Sequence, residues 1–188
     1  MKKQMLKGLL LTGAAAMIFA SCKKKHDDHE HNHEEVITTM RLTFTPVTGG
    51  NAVSFEYDDA DGPGGAAPTI QTISLAPNTS YHVALRAFNK TKNPVEELTG
   101  EISAEGGSHR FYFVPSGNGI TVTNLNNDAA GVPLGLSSTW TTVGAGNGTM
   151  RVVLRHYGGN PPNKAANDPI DSPKSSTDAD VTFNTAVQ

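Results

Sequence analysis

From Val36 onward apolar side chains recur at every second position, and that period constrains the fold more than any other feature of the chain. Val36, Thr38, Met40, Leu42 and Phe44 share one face of an extended segment, with Ile37, Thr39, Arg41 and Thr43 on the other. A strand with one apolar face needs a second layer to bury it. Gly49-Gly50-Asn51 turns the chain into a second strand, where Val53, Phe55 and Tyr57 alternate with polar residues. FYFVP and ITVTNL around Ser116-Gly117-Asn118-Gly119 read as a hairpin, and LSSTWTTV and TMRVVLRHY around GNG read as another. With 19 Gly and 11 Pro, the composition favours many short strands joined by turns over a helical bundle. The expected fold is mainly β, an antiparallel sandwich.

Two stretches break the period. In NPVEELTGEISAEGG, residues 93–107, Asn93 can cap a helix, Pro94 suits its first turn and Gly106 can close it. Glu96 and Glu97 favour the positive end, and Val95, Leu98 and Ile102 form a narrow apolar stripe. One short helix is therefore expected. A Gly/Pro/Asn/Ser-rich segment at about 158–180 shows no periodicity, and loops of that length are usually functional or disordered. A final strand over 181–187 is expected to pair with a sheet edge. The chain has one cysteine, so no internal disulfide can staple the domain.

Within residues 70–89, Leu75, Pro77, Thr79, Tyr81, Val83, Ala87 and Asn89 fall at a spacing that resembles fibronectin type III domains. Tyr81 matches their tyrosine corner, whose hydroxyl bonds back to upstream backbone and locks a turn between two sheets. The resemblance implies an immunoglobulin/fibronectin-III-like sandwich for residues 36–188. It speaks to fold and assigns no activity.

The N-terminus carries an address. Lys2, Lys3 and Lys7 precede an uncharged, mostly apolar run from Gly8 to Ala20, which is an export-signal pattern too short to stay as a spanning helix. Ala20-Ser21-Cys22 resembles the bacterial lipobox, with Phe19 where Leu is usual. That resemblance implies removal of residues 1–21, lipidation of Cys22 and a membrane anchor of several acyl chains. The other reading is an ordinary secretory signal with an incidental cysteine. Lys23 is not the Asp that retains many lipoproteins at the inner membrane, so outer-membrane sorting is expected, facing either periplasm or cell surface. Cleavage removes three lysines and no acid, leaving 12 basic against 18 acidic residues. No basic stripe for nucleic acid is present.

Residues 22–35 form a tail in which His26, His29, His31 and His33 alternate with Asp27, Asp28, Glu30, Glu34 and Glu35. Such a composition is expected to be disordered. Neutral imidazoles and carboxylates suit Zn²⁺, and also Cu²⁺ or Ni²⁺. His26, His29, His31 and His33, with Asp27, Asp28 and Glu30, are the candidate metal ligands; the other reading is a solvated spacer. Asp58, Asp59 and Asp61 in DDADGPGG could offer oxygens to Ca²⁺, although the EF-hand template fails because Tyr57 occupies its first ligand position. His156 lies on the apolar face of its strand, His82 on a polar face and His109 in a loop, and the sequence does not bring them together.

With VITT, DGPGG, PNTSY, MRVVLRH and DVTF added to the tail, the mature chain resembles small Bacteroidota lipoproteins often labelled "type 1 periplasmic binding fold". That label implies two α/β lobes of roughly 100–150 residues each, whereas this chain shows one strand-rich domain. The resemblance implies an accessory role to TonB-dependent receptors. No Gly-Xaa-Ser-Xaa-Gly elbow, P-loop or HExxH helix is present, so no enzyme is expected. Two functions stand at this point. One is an outer-membrane lipoprotein that binds a transition metal, zinc first, through its tail. The other is a non-catalytic structural or ligand-binding sandwich, for adhesion or glycan contact.

Overall fold

The computed structural model describes residues 35–117 and 119–188. The tail ligands, Cys22 and the export signal lie outside the described residues.

The elements run β1 (Thr39–Pro46), β2 (Val53–Asp58), β3 (Thr69–Ile70), β4 (Ile73–Leu75), β5 (Ser80–Asn89), β6 (Glu96–Glu97), α1 (Thr99–Ala104), β7 (His109–Ser116), β8 (Thr121–Thr123), β9 (Ser137–Thr141), β10 (Gly146–Tyr157) and β11 (Ser175–Val187). They form two sheets. The larger has the order β3-β2-β1-β5-β9-β8, with β6 also on β5; the smaller is β4-β11-β10-β7. All pairs are antiparallel except β4 on β11. The architecture is the mainly β sandwich that the alternation predicts. Met40, Leu42 and Phe44 of β1, Val83 and Leu85 of β5 and Trp140 of β9 share one core with Phe111, Met150, Val152, Leu154, Val181 and Phe183 of the smaller sheet. Phe44 meets Trp140 edge-on at 5.1 Å between ring centroids, and the Trp140 indole N–H donates to Ser138 Oγ at 2.9 Å.

Tyr81 does what its spacing predicts. Its hydroxyl accepts the Ala76 N–H at 2.9 Å, tying the chain leaving β4 in one sheet to β5 in the other. Replacing Tyr81 with Phe leaves that N–H without its partner. The expected cost is about 1–2 kcal/mol in urea unfolding, with the fold retained.

Several expectations need correction. Neither glycine-rich segment is a hairpin. β7 and β8 belong to different sheets, as do β9 and β10, so both connections cross the sandwich. Turn residues report a local reversal, but burial on opposite layers decides which strands pair. Positive φ at Gly117 and Gly119 (95° and 63°) permits the first crossing, and a Cβ at Gly117 would stand 2.8 Å from the Asn147 carbonyl. The last strand starts at Ser175, not 181, and is central: β4 and β10 flank it. The helix begins only at Thr99, because Glu96 and Glu97 pair with β5 and Glu97 forms a salt bridge with Arg86. Leu98 and Ile102 are buried as expected, while Val95 is exposed.

The segment from 158 to 174 is held by specific bonds, not left as a loose loop. Arg110 donates to the carbonyls of Ala165 and Ala166, and Tyr112 to that of Asp168. Lys174 pairs with Asp168 at 2.6 Å. The segment covers the outer face of the smaller sheet, which explains why Val153 and Tyr157 are buried there. Among the described residues no helix is long and apolar enough to cross a membrane.

Candidate metal centre

The smaller sheet gathers three polar side chains into one end of the core. His109 opens β7 and shares the inward alternation of Phe111 and Phe113. His156 follows Met150, Val152 and Leu154 on the inward face of β10. The register sets His109 directly opposite His156, with ring centroids 4.7 Å apart. Regular alternation back from Val181 and Ala179 would turn Thr177 inward and Asp178 outward. The ladder instead slips: Leu154 faces Ala179, and Arg155 faces Thr177. Asp178 is the extra residue of a β-bulge, and the bulge aims its carboxylate inward. That carboxylate is wholly buried, with Oδ2 3.6 Å from His156 Nδ1 and 3.8 Å from His109 Nε2.

A fourth group comes from the segment entering β1. Glu35 places Oε1 3.8 Å from His109 Nε2, and its side chain is 10% exposed. Glu105, just past α1, forms a second grouping with Glu35 and His109. Within each of the two sets, His109–His156–Asp178 and Glu35–Glu105–His109, candidate ligand atoms lie within 4.8 Å of one another.

His109 Nδ1 lies 3.2 Å from the Glu105 carbonyl, which can only accept, so the ring carries its proton there. Burial, reinforced by neighbouring His156, holds the imidazole down to about 4, so at neutral pH it is uncharged. The contacts of His109 with Glu35 and Asp178 are therefore not ion pairs, and 3.8 Å is too long for hydrogen bonds. What remains is a lone pair on Nε2, fully buried and without a hydrogen-bond partner, facing two carboxylates. Burial first, and then Glu101, Glu105 and Glu96, push Glu35 up to about 7. The cluster collects electron-rich atoms that a divalent cation would satisfy.

The spacing of His109, His156 and Asp178 suits such an ion. Tetrahedral Zn²⁺ with bonds of about 2.0–2.1 Å separates its ligand atoms by about 3.4 Å. The 3.6–3.8 Å separations of Asp178 from both histidines and of Glu35 from His109 would need to contract by a few tenths of an ångström. Glu35, which groups with His109 and Glu105, would also have to swing toward His156 and Asp178 to share one ion with them. The Glu105 carbonyl fixes the ring of His109 through Nδ1, as an outer partner would orient an imidazole that bound a metal through Nε2.

A buried ion pair holds the strand beneath His109. Lys164 Nζ donates to the carbonyls of Gly106 (2.5 Å), His109 (2.9 Å) and Pro133 (3.1 Å) and pairs with Asp128 at 2.8 Å. Both side chains are almost wholly buried.

The other candidates stand apart. Asp58 accepts from Thr39 and Lys90, Asp61 accepts the Ala66 N–H, and the Tyr57 hydroxyl lies 3.5 Å from Asp59. Asp58, Asp59 and Asp61 do not converge as a ligand set, and Ca²⁺ needs six to eight oxygens. His82 is exposed. His109 is a buried strand residue, not a loop residue, because the chain leaving α1 enters β7 there. The signal that could have found it is its place two residues before Phe111, on the apolar alternation.

The chain matches no protein-family model, no curated protein and no solved structure.

Proposed function

We propose that this chain is a non-enzymatic lipoprotein, moored to the outer membrane through Cys22, that binds a divalent transition metal, zinc first. One observation carries the metal reading: a buried His109 Nε2, without a hydrogen-bond partner, facing the carboxylates of Glu35 and Asp178. The tail adds imidazoles and carboxylates of the same chemistry at His26, Asp27, Asp28, His29, Glu30, His31 and His33. In this reading the tail takes up ions that exchange quickly, and the sandwich serves as an accessory to a TonB-dependent receptor.

The test is calorimetric titration of the detergent-solubilised full chain with Zn²⁺, Cu²⁺, Ca²⁺ and Mg²⁺. Zn²⁺ and Cu²⁺ are expected to bind well ahead of Mg²⁺ at neutral pH. A chain with His26, His29, His31 and His33 all replaced by Ala should keep part of that capacity. Absence of any preference over Mg²⁺ ends the metal reading and leaves a non-catalytic sandwich whose tail is a spacer.

A further inference from the structure

We infer that Glu35 turns from its place beside His109 and Glu105 to join His109, His156 and Asp178 around one structural metal ion, which cross-links the two sheets and is distinct from the exchangeable sites of the tail. The inference rests on the metal reading above and specifies what the ion does.

Three ligands, on β7, β10 and β11, belong to the smaller sheet. The fourth, Glu35, enters the larger one. Thr38, three residues on, donates its N–H to the Phe88 carbonyl of β5 at 2.9 Å, and its hydroxyl accepts the Lys90 N–H at 2.7 Å. An ion held by Glu35 and by the three strands would therefore join the layers through a few residues of taut backbone. Structural zinc sites use four protein ligands in a closed shell. Here the four side chains are each 10% exposed or less.

The position matters. At the other end of β1, Pro46 lies opposite Tyr81, whose hydroxyl already ties the sheets together. Among the described residues no tyrosine hydroxyl makes such a tie at the Thr39 end, and a single cysteine cannot supply an internal disulfide there. An ion at the Glu35 end would close the sandwich where covalent chemistry cannot.

A closed site releases its ion only when the lead-in or the sheet opens, whereas tail-bound ions exchange freely. The test loads the full detergent-solubilised chain with Zn²⁺, removes excess, and adds a chromophoric chelator. Two phases of release are expected, with one equivalent per chain in the slow phase. Replacing the four tail histidines should remove fast amplitude and leave the slow phase intact.

Glu35→Gln keeps the packing and should speed slow release at least about tenfold, since losing even an outer partner of a metal site costs about 10–100-fold. His109→Ala should abolish the slow phase. Because that variant could fail to fold, circular dichroism accompanies it, and Glu35→Gln decides the matter alone. A single fast phase in the unaltered chain overturns the inference, as does a slow phase unchanged in Glu35→Gln. Finding no bound zinc at all refutes the metal reading itself.

Discussion

Replacing Lys164 with Ala is expected to cost the fold about 3–5 kcal/mol, the range for breaking a buried pair by removing one partner. The loss is large because Asp128 would be left charged and unpaired, and three carbonyls would lose their donor. The two partners respond differently to burial. Burial pushes Asp128 up, but Lys164 and the N–H groups of Val132 and Ala130 hold it below its usual range. Lys164 is also held below its usual range, burial outweighing its pairing with Asp128. Coordination decides in favour of an ionised pair: four oxygens surround Nζ, and only the ammonium form has three protons to give. The pair is therefore costly to break but weakly stabilising as a whole. The double change Lys164→Met with Asp128→Asn is expected to recover much of the loss, which a double-mutant cycle in urea measures. The single variant should also loosen the start of β7, so weaker Zn²⁺ binding is expected even though Lys164 is no ligand.

Acidification is the second large effect, and it is cleanest in the metal-free protein. His109 titrates near 4 when folded against an ordinary 6.5, so the unfolded chain binds the proton first as pH falls. Its neutral form supports the fold above 6.5, and that support is lost between 6.5 and 4. Glu35 acts with the opposite sign. Raised from 4.5 to about 7, it holds its proton longer in the folded state, so it costs stability as pH rises through that interval. Between 4.5 and 6.5 the two slopes oppose each other, and the unaltered chain should show a shallow profile from this site. His156, Asp178, Glu101, Glu105, Glu96 and Lys164 also face the pair. Glu35→Gln removes one slope. That variant should lose about 3 kcal/mol between pH 6.5 and pH 4, at about 1.4 kcal/mol per pH unit. Urea unfolding with a chelator present, at pH steps across that window, checks the result. An equally shallow profile in the variant would show that His109 is not held neutral.

The alternation of Met40, Leu42 and Phe44 and the spacing around Tyr81 made the sandwich legible in the sequence, because both are local patterns tied to burial and turn geometry. The candidate metal centre was not legible in the same way. His156 stands on an apolar face, but its partners are far along the chain, and only the register of β7, β10 and β11 brings them together. Asp178 was hidden further, since simple alternation from Val181 places it outside. The same long-range pairing explains the two misread hairpins: Gly117, Gly119 and the GNG run describe turns without naming the strand each side will join. Lys164 gave no sign of its role, because a lysine in a Gly/Pro-rich stretch reads as solvated until the carbonyls around it are seen.

The bulge at Asp178 gives this strand an unusual relation between length and chemistry. Deleting the Asp178 codon would restore even pleating, take the acid out of the core and leave the positions from Val181 to Val187 in register. A sandwich of this design can gain or lose a candidate ion-binding cluster by the insertion or deletion of one residue, with its apolar alternation kept on either side.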